Sequence, residues 1–248
     1  MTALALEAGA LILRIYAGAF SVGTKRDASP VTEADTLAEA AILAGLERLA
    51  PGVPVLAEER AAAGSAPELG RRFFLVDPLD GTREFVSRTG EFTVNIAFVE
   101  DGRARLGVVY APAMGRLYAG GRGLGAFRAD GEGAGERRRI HAREAPDAGL
   151  VAVASRSHGT PETDEFLRSL KVADYVAAGS SLKFGLVAEG AADVYPRLGR
   201  TMEWDTGAGQ AVLEAAGGRV VVHPTGEPLI YGKSTRGFDN PHFIAWGA

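Results

Sequence analysis

The chain has no cysteine. A disulfide framework, a thiolate zinc site and cysteine-nucleophile chemistry are therefore excluded, while the compartment stays open on that ground alone. Long apolar runs are also missing. The stretch from Ala8 to Phe20 is interrupted by Arg14 and preceded by Glu7. It is shorter than the roughly 20 apolar residues of a membrane span, and no Lys or Arg lies before it as a signal peptide would require. Nor is there an excess of basic charge: 27 Lys+Arg stand against 31 Asp+Glu, for a formal charge of -4. Duplex nucleic acid is bound through concentrated Lys and Arg, so no nucleic-acid partner is expected. The expectation is a soluble, cytoplasmic protein without stable membrane insertion. What is abundant is apolar side chain, at 46% of 248 residues, enough to bury a sizeable core in one large domain or two smaller ones.

Residues Leu4 to Phe20 place Leu4, Ala8, Leu11 and Ile15 at helical spacing. A second helix is predicted from Thr32, where Thr32 and Asp35 resemble a capping box, through Leu37, Ala41, Ala44 and Leu49 to the stop at Pro51-Gly52. Two short apolar runs follow, Val53 to Ala57 and Phe73 to Val76, and each ends directly on acid, at Glu58-Glu59 and at Asp77. Both read as buried strands with carboxylates at their C-terminal ends. Strict alternation at Phe92, Val94, Ile96 and Phe98, a turn at Asp101-Gly102, and the return through Leu106, Val108 and Tyr110 predict an antiparallel hairpin. More short strands are expected near 116–119 and 125–128. A Gly-rich and then Arg-rich stretch at 131–149 reads as a linker, with Arg137 to Arg139 a solvated face. Beyond it, strands and helices alternate to the strand Arg219 to His223. The chain thus divides into an N-terminal α+β part at 1–130, the linker, and a C-terminal α/β part at 150–248.

The hexapeptide Asp77-Pro78-Leu79-Asp80-Gly81-Thr82 ends a strand in a turn with two carboxylates three residues apart. Pro78 stiffens the turn and Gly81 permits close approach of a ligand to the backbone. With the Leu79 carbonyl between them, the carboxylates offer the oxygen-only donors that Mg²⁺ prefers. A polar turn whose Asp residues cap their own backbone is equally open at this point. Glu58 falls past another buried strand, and Asp205 opens a helix that stops at Gly217-Gly218, where it is also an ordinary N-cap candidate. Together Glu58, Asp77, Asp80 and Asp205, in a chain with four His, favour Mg²⁺ over zinc and imply metal-assisted hydrolysis of a phosphate ester. The amides of Gly81 and Thr82 suit phosphoryl oxygens, and Thr82 and Asp35 suit the orientation or deprotonation of water.

These motifs resemble a known group. Residues 77–82, Glu58-Glu59, Trp204-Asp205 with Ala208-Gly209 and Gly217-Gly218, and the segment Ser29 to Asp35 are together similar to the signatures of the inositol monophosphatase superfamily of Mg²⁺-dependent, lithium-sensitive phosphatases. The second half resembles its CysQ-type 3'(2'),5'-bisphosphate nucleotidase branch, through residues 155–158, 179–184, 187–190 and 193–197. The resemblance implies a layered αβαβα sandwich, of the kind shared with fructose-1,6-bisphosphatases, and two to three Mg²⁺ ions. It implies Glu58, Asp77, Asp80, Asp205 and the Leu79 carbonyl as ligands, and a catalytic set of Asp35, Thr82 and Glu59. It also implies that Glu58, Leu79, Asp80, Gly81, Thr82 and Asp205 contact the substrate phosphate; Ser181, Lys183 and Arg197 are added as substrate contacts in the second half on residue type, not on the resemblance. Gly207 stands where the group usually carries Ala, which is expected to loosen the first turn of the helix bearing Asp205.

The remaining recognition residues are inferred from type. Lys183, Arg156 and Arg197 suit a second phosphate, and Tyr195 or Phe184 suits stacking on a base; alternatives are an exposed helix face for Lys183, a surface turn for Arg197 and the core for Phe184. His158 is left outside the catalytic set. The expected activity is removal of the 3'-phosphate of adenosine 3',5'-bisphosphate, a small-molecule nucleotide of sulfur metabolism. The alternatives are a phosphatase for inositol monophosphate, fructose 1,6-bisphosphate or another sugar phosphate, and, in a different class, a non-catalytic module that binds metal or phosphate. Monomer and homodimer are both compatible with the sequence.

Overall fold

The computed structural model describes residues 1–24, 30–131, 135–155 and 160–248, with the backbone alone described at Ser155. Arg156 and His158, and Ser29 of the upstream signature, lie outside the described residues. In chain order the elements are α1 (Thr2–Ala17), β1 (Gly23–Thr24), β2 (Pro30–Val31), α2 (Glu33–Leu49), β3 (Val55–Ala57), α3 (Glu58–Ala62), β4 (Arg72–Asp80), α4 (Thr82–Val86), β5 (Thr93–Glu100), β6 (Arg103–Ala111), β7 (Arg116–Gly121), β8 (Gly125–Asp130) and β9 (Arg137–Ile140). The second half continues with β10 (Leu150–Ser155), α5 (Pro161–Arg168), β11 (Val172–Ala178), α6 (Leu182–Ala188), β12 (Val194–Arg197), α7 (Glu203–Ala215), β13 (Arg219–Val222) and β14 (Phe243–Trp246).

Strands β3 to β9 form a seven-stranded sheet in sequence order, and the second sheet has five strands in the order β11-β10-β12-β14-β13. Alternation along the strands sends successive side chains to opposite faces. On one face of the first sheet Phe74, Val76, Ile96 and Val108 pack against Ala5, Ala8 and Ile12 of α1 and Ala38 and Ile42 of α2. On the other face Phe73, Leu75, Ala97, Val99 and Val109 meet Leu182, Phe184 and Val187 of α6 and Ala208, Ala211 and Val212 of α7. The same core continues into Val153, Val220, Phe243 and Ala245 of the second sheet. The outer face of that sheet packs Ala152, Val194 and Ile244 under Leu167 of α5. The layers run helix pair, sheet, helix pair, sheet, helix, which is the αβαβα sandwich.

Several local expectations are corrected. The buried stripe of α2 is Ala34, Ala38, Ile42, Gly45 and Leu46, whereas Leu37 and Leu49 are exposed. The buried face of α1 is likewise Ala5, Ala8, Gly9 and Ile12. Small residues are selected where the two helices touch: a Cβ at Gly45 would lie 2.2 Å from Leu4 Cδ2. Within the stretch expected to be a linker, Arg137 to Ile140 form β9, the edge strand beside β8. Charged side chains on an edge discourage further pairing, and they also disguise the strand.

Candidate active site

Strand β4 does not stop at Asp77. It continues to Asp80, with its register against β5 shifted between Asp77 and Asp80. The irregularity turns the backbone so that the Asp77 carboxylate accepts the Leu79 N–H at 3.0 Å, while the Leu79 side chain stays in the core. Gly81 then adopts φ 88°, ψ 42°, the left-handed region open to glycine, and precedes α4. A Cβ there would also crowd Ser180 Cβ at 3.3 Å. The turn is thereby closed against the start of α6, which brings the two halves of the chain to one place.

Three other elements aim carboxylates at that place. Glu58 is the first residue of α3, directly after β3. Asp35 sits at the third position of α2, where Thr32 donates its N–H and its hydroxyl to Asp35 Oδ2, both at 2.8 Å, in the expected capping box. Asp205 is also at a third helical position, and not the N-cap, since α7 starts at Glu203; it accepts the Met202 N–H at 2.8 Å.

Glu58, Asp77, Asp80 and Asp205 come together. Burial, then the neighbouring charges of Glu58, Asp80 and Asp205, push Asp77 well above the ordinary carboxylate range, and its carboxyl is hydrogen-bonded to that of Glu58. Burial, with Asp80 and Glu58, does the same to Asp205. Among the described residues no Lys or Arg forms an ion pair with Asp77, Asp80 or Asp205, and no three carboxylates stand in a closed metal-ligating geometry. Like charges buried together need protons or a cation between them. Oxygen-only donors and shared electrostatic stress fit Mg²⁺.

Above this floor lies a cleft of about 370 Å³. Glu58, Asp80, Gly81, Thr82, Ser181, Lys183, Arg197 and Asp205 line it, as do Tyr195 and Phe184. Asp77 and Leu79 lie beneath it, and Asp35 reaches it through the Thr82 hydroxyl, which is 3.3 Å from both Asp35 Oδ1 and the Leu79 carbonyl. Glu59 is not part of the lining, and its backbone N–H is bound by Glu39.

Lys183 is neither exposed nor loosely placed: it is 5% accessible, donates to the Ser180 carbonyl at 2.6 Å, and stands 5.4 Å from the Tyr195 ring centroid. Burial, with Arg197 nearby, brings its pKa down to about 8. Arg197 donates to the Arg200 carbonyl at 2.8 Å, and its Nε is buried without a hydrogen-bond partner among the described residues. Phe184 and Tyr195 pack edge to face at 5.2 Å and both contact Phe243, so they belong to the core between the layers and serve the cleft as wall. Gly207 also has a packing role, since a Cβ there would lie 2.7 Å from Leu75 Cδ1 and 3.2 Å from Ala97 Cβ, and α7 sits that close to the sheet.

Asn95 was missed. Its Nδ2 donates to Ser181 Oγ at 3.0 Å, and Ser181 Oγ lies 2.7 Å from both Asp80 Oδ2 and the Asp205 carbonyl. The signal was present in β5, where Thr93 and Asn95 alternate with Val94 and Ile96: a sheet covered on both faces must partner such polar residues. Arg200 also lines the cleft and was not foreseen.

A sequence model described as the inositol monophosphatase family matches residues 1–242. A protein of Escherichia coli strain K12 named 3'(2'),5'-bisphosphate nucleotidase CysQ is 46% identical over 243 residues, covering 97% of this chain and 95% of that one. A protein of the same name from Salmonella typhimurium is 47% identical over 219 residues, covering 88% of this chain and 87% of its own. Among solved structures, CysQ from Bacteroides thetaiotaomicron superposes with a TM-score of 0.82 at 40% identity, covering 98% of this chain and 94% of that one. The Thermotoga maritima inositol monophosphatase superposes with a TM-score of 0.78 at 27% identity, covering 98% and 89%.

Proposed function

The chain belongs to the inositol monophosphatase family, which is metal-dependent and usually uses Mg²⁺, and from that premise we propose that it hydrolyses the 3'-phosphate of adenosine 3',5'-bisphosphate to give AMP and phosphate. One observation carries the choice of substrate: Lys183, Arg197 and Arg200 line the same cleft as the carboxylates Glu58, Asp80 and Asp205. A cation-dependent site for one phosphate and a basic site for another suit a bisphosphate better than a monophosphate. Relatives named as bisphosphate nucleotidases support the same choice.

Glu58, Asp77, Asp80, Asp205 and the Leu79 carbonyl would hold two to three Mg²⁺ ions, which supply charge neutralisation for the phosphate and activation of water. Asp35 accepts Thr32 on Oδ2 and the Thr82 hydroxyl on Oδ1. Thr82 then orients the attacking water with a lone pair while its own hydrogen points to Asp35. Water adds to phosphorus as the bond from phosphorus to the ribose 3' oxygen breaks; of the two protons of that water one ends on the 3' oxygen, which leaves as a hydroxyl, and the other stays on the released phosphate. Ser181 and Asn95 keep Asp80 in place during the exchange of substrate for product. Among the described residues no helix is long and apolar enough to cross a membrane; we assign the activity to the cytoplasm, with a small nucleotide as partner.

The test is Mg²⁺-dependent phosphate release from adenosine 3',5'-bisphosphate beside inositol 1-phosphate and fructose 1,6-bisphosphate at equal concentration, with Asp80→Asn as the blank. Preference for the nucleotide and loss of turnover in the variant are expected. Preference for an inositol or sugar phosphate would keep the metal chemistry and overturn the substrate; release from none of them would overturn both.

A further inference from the structure

Helix α3 has only five residues and begins on Glu58; its C-terminal end is closed locally, by the Ala63 N–H on the Glu59 carbonyl and the Ser65 N–H on the Arg60 carbonyl, so its N-terminal end is the one in need of a cap. None of its side chains is fully buried, and Ala57 at its N-cap has no side-chain acceptor for the first amides. Short helices with such ends fray unless an outside group satisfies them. That group comes from α2: Glu39 is 5% accessible, accepts the Glu59 N–H at 2.7 Å on Oε2 and accepts the Arg60 N–H at 3.1 Å on Oε1. A buried carboxylate with both oxygens spent on consecutive backbone amides fixes the direction in which α3 leaves β3. A cavity of about 580 Å³ lies between α2 and the chain after α3, with Arg60 and Ser65 in its wall, so packing on that side does little to fix the helix.

We propose that Glu39 is a positioning residue for the metal site: by capping α3 across the helix boundary it sets where the Glu58 carboxylate points. This rests on the assignment of Glu58 as a ligand made above. A partner that orients a ligand commonly changes metal affinity by about tenfold to a hundredfold when lost. Gln at this position keeps one acceptor and turns an NH₂ group toward the second amide, so the cap is broken while the volume is kept.

The experiment is calorimetric titration of the full chain with Mg²⁺ alone, beside thermal unfolding in chelator, for wild type, Glu39→Gln, Glu58→Gln, and Glu39→Gln with Ala57→Ser. The serine supplies an ordinary N-cap acceptor to the same amides. The expected result is Mg²⁺ affinity about tenfold or more weaker in Glu39→Gln, restored toward wild type by Ala57→Ser. Unchanged affinity in a folded Glu39→Gln protein, with Glu58→Gln impaired, would overturn the positioning role alone. Unchanged affinity in Glu58→Gln would instead remove the ligand assignment on which it stands. If Glu39→Gln does not fold, Ala57→Ser in the otherwise unaltered chain decides: a second acceptor beside Glu39 should leave Mg²⁺ affinity within about twofold, and rescue of folding in the double variant without rescue of affinity would overturn the proposal.

Discussion

Lys183 is the residue whose environment departs most from what its type suggests. An ammonium in the first turn of a helix is ordinarily solvated, but this one is buried among α6, Tyr195 and the Ser180 carbonyl, and its pKa falls to about 8. The unfolded chain holds the proton to about pH 10.4. Below pH 8 both states are protonated, and the cost of burying the charge is present in full. Between about pH 8 and 10.4 the unfolded state binds more protons than the native state, so this group makes stability rise with pH there. Lys183→Met is therefore expected to be more stable than wild type near pH 7, with the advantage shrinking by pH 10, as measured by urea unfolding at both values. An advantage that does not change with pH would refute the buried, depressed amine. In kinetics the same variant should raise KM for the nucleotide about tenfold or more, as loss of a charge-assisted hydrogen bond predicts, with a smaller change in kcat.

Helix α7 is the element on which the site depends most, because it carries Asp205 into the cluster while its flank packs on the seven-stranded sheet. The fit is made by missing side chains. Gly107 of β6 and Gly120 of β7 are cross-strand partners. A Cβ at the first would stand 2.2 Å from the Ala208 carbonyl oxygen, and one at the second 2.9 Å from Val212 Cα. Backbone atoms cannot swing aside as a leucine methyl can, so Gly107→Ala must push α7 outward. Overpacking of this kind costs about 1–3 kcal/mol. The expected outcome is a lower melting temperature together with weaker Mg²⁺ binding, since Asp205 moves with the helix; a variant with wild-type stability would refute the close contact.

At the scale of the molecule, the division into parts at 1–130 and 150–248 meets a core that does not divide. Val153, Tyr195, Val220 and Phe243 of the second sheet share one apolar cluster with Phe73, Leu75 and Val109 of the first, through α6 and α7. Neither sheet can keep its inner face covered without the other. Calorimetry of the intact chain is therefore expected to show one unfolding transition, with equal van't Hoff and calorimetric enthalpies. Two separate transitions would mean that the halves are independent domains.

What the sequence by itself determined was local. Capping chemistry at Thr32 and Asp35, the hairpin alternation through 92–110 and the hexapeptide at 77–82 act within a few residues of chain, so their meaning could be read directly, and the resemblance placed the distant Asp205 beside them. Tertiary structure alone decided what depends on neighbours far away in the chain. Strand β14 is four residues long and exists because β12 and β13 flank it. The buried faces of α1 and α2 are the small-residue faces, chosen by how closely two helices approach, not by which face carries more leucine. Glu39 and Asn95 look like ordinary polar positions until burial removes water and leaves the α3 amides and Ser181 as their partners. Burial is a property of the assembled layers, and the burial of these polar groups places and tunes the site.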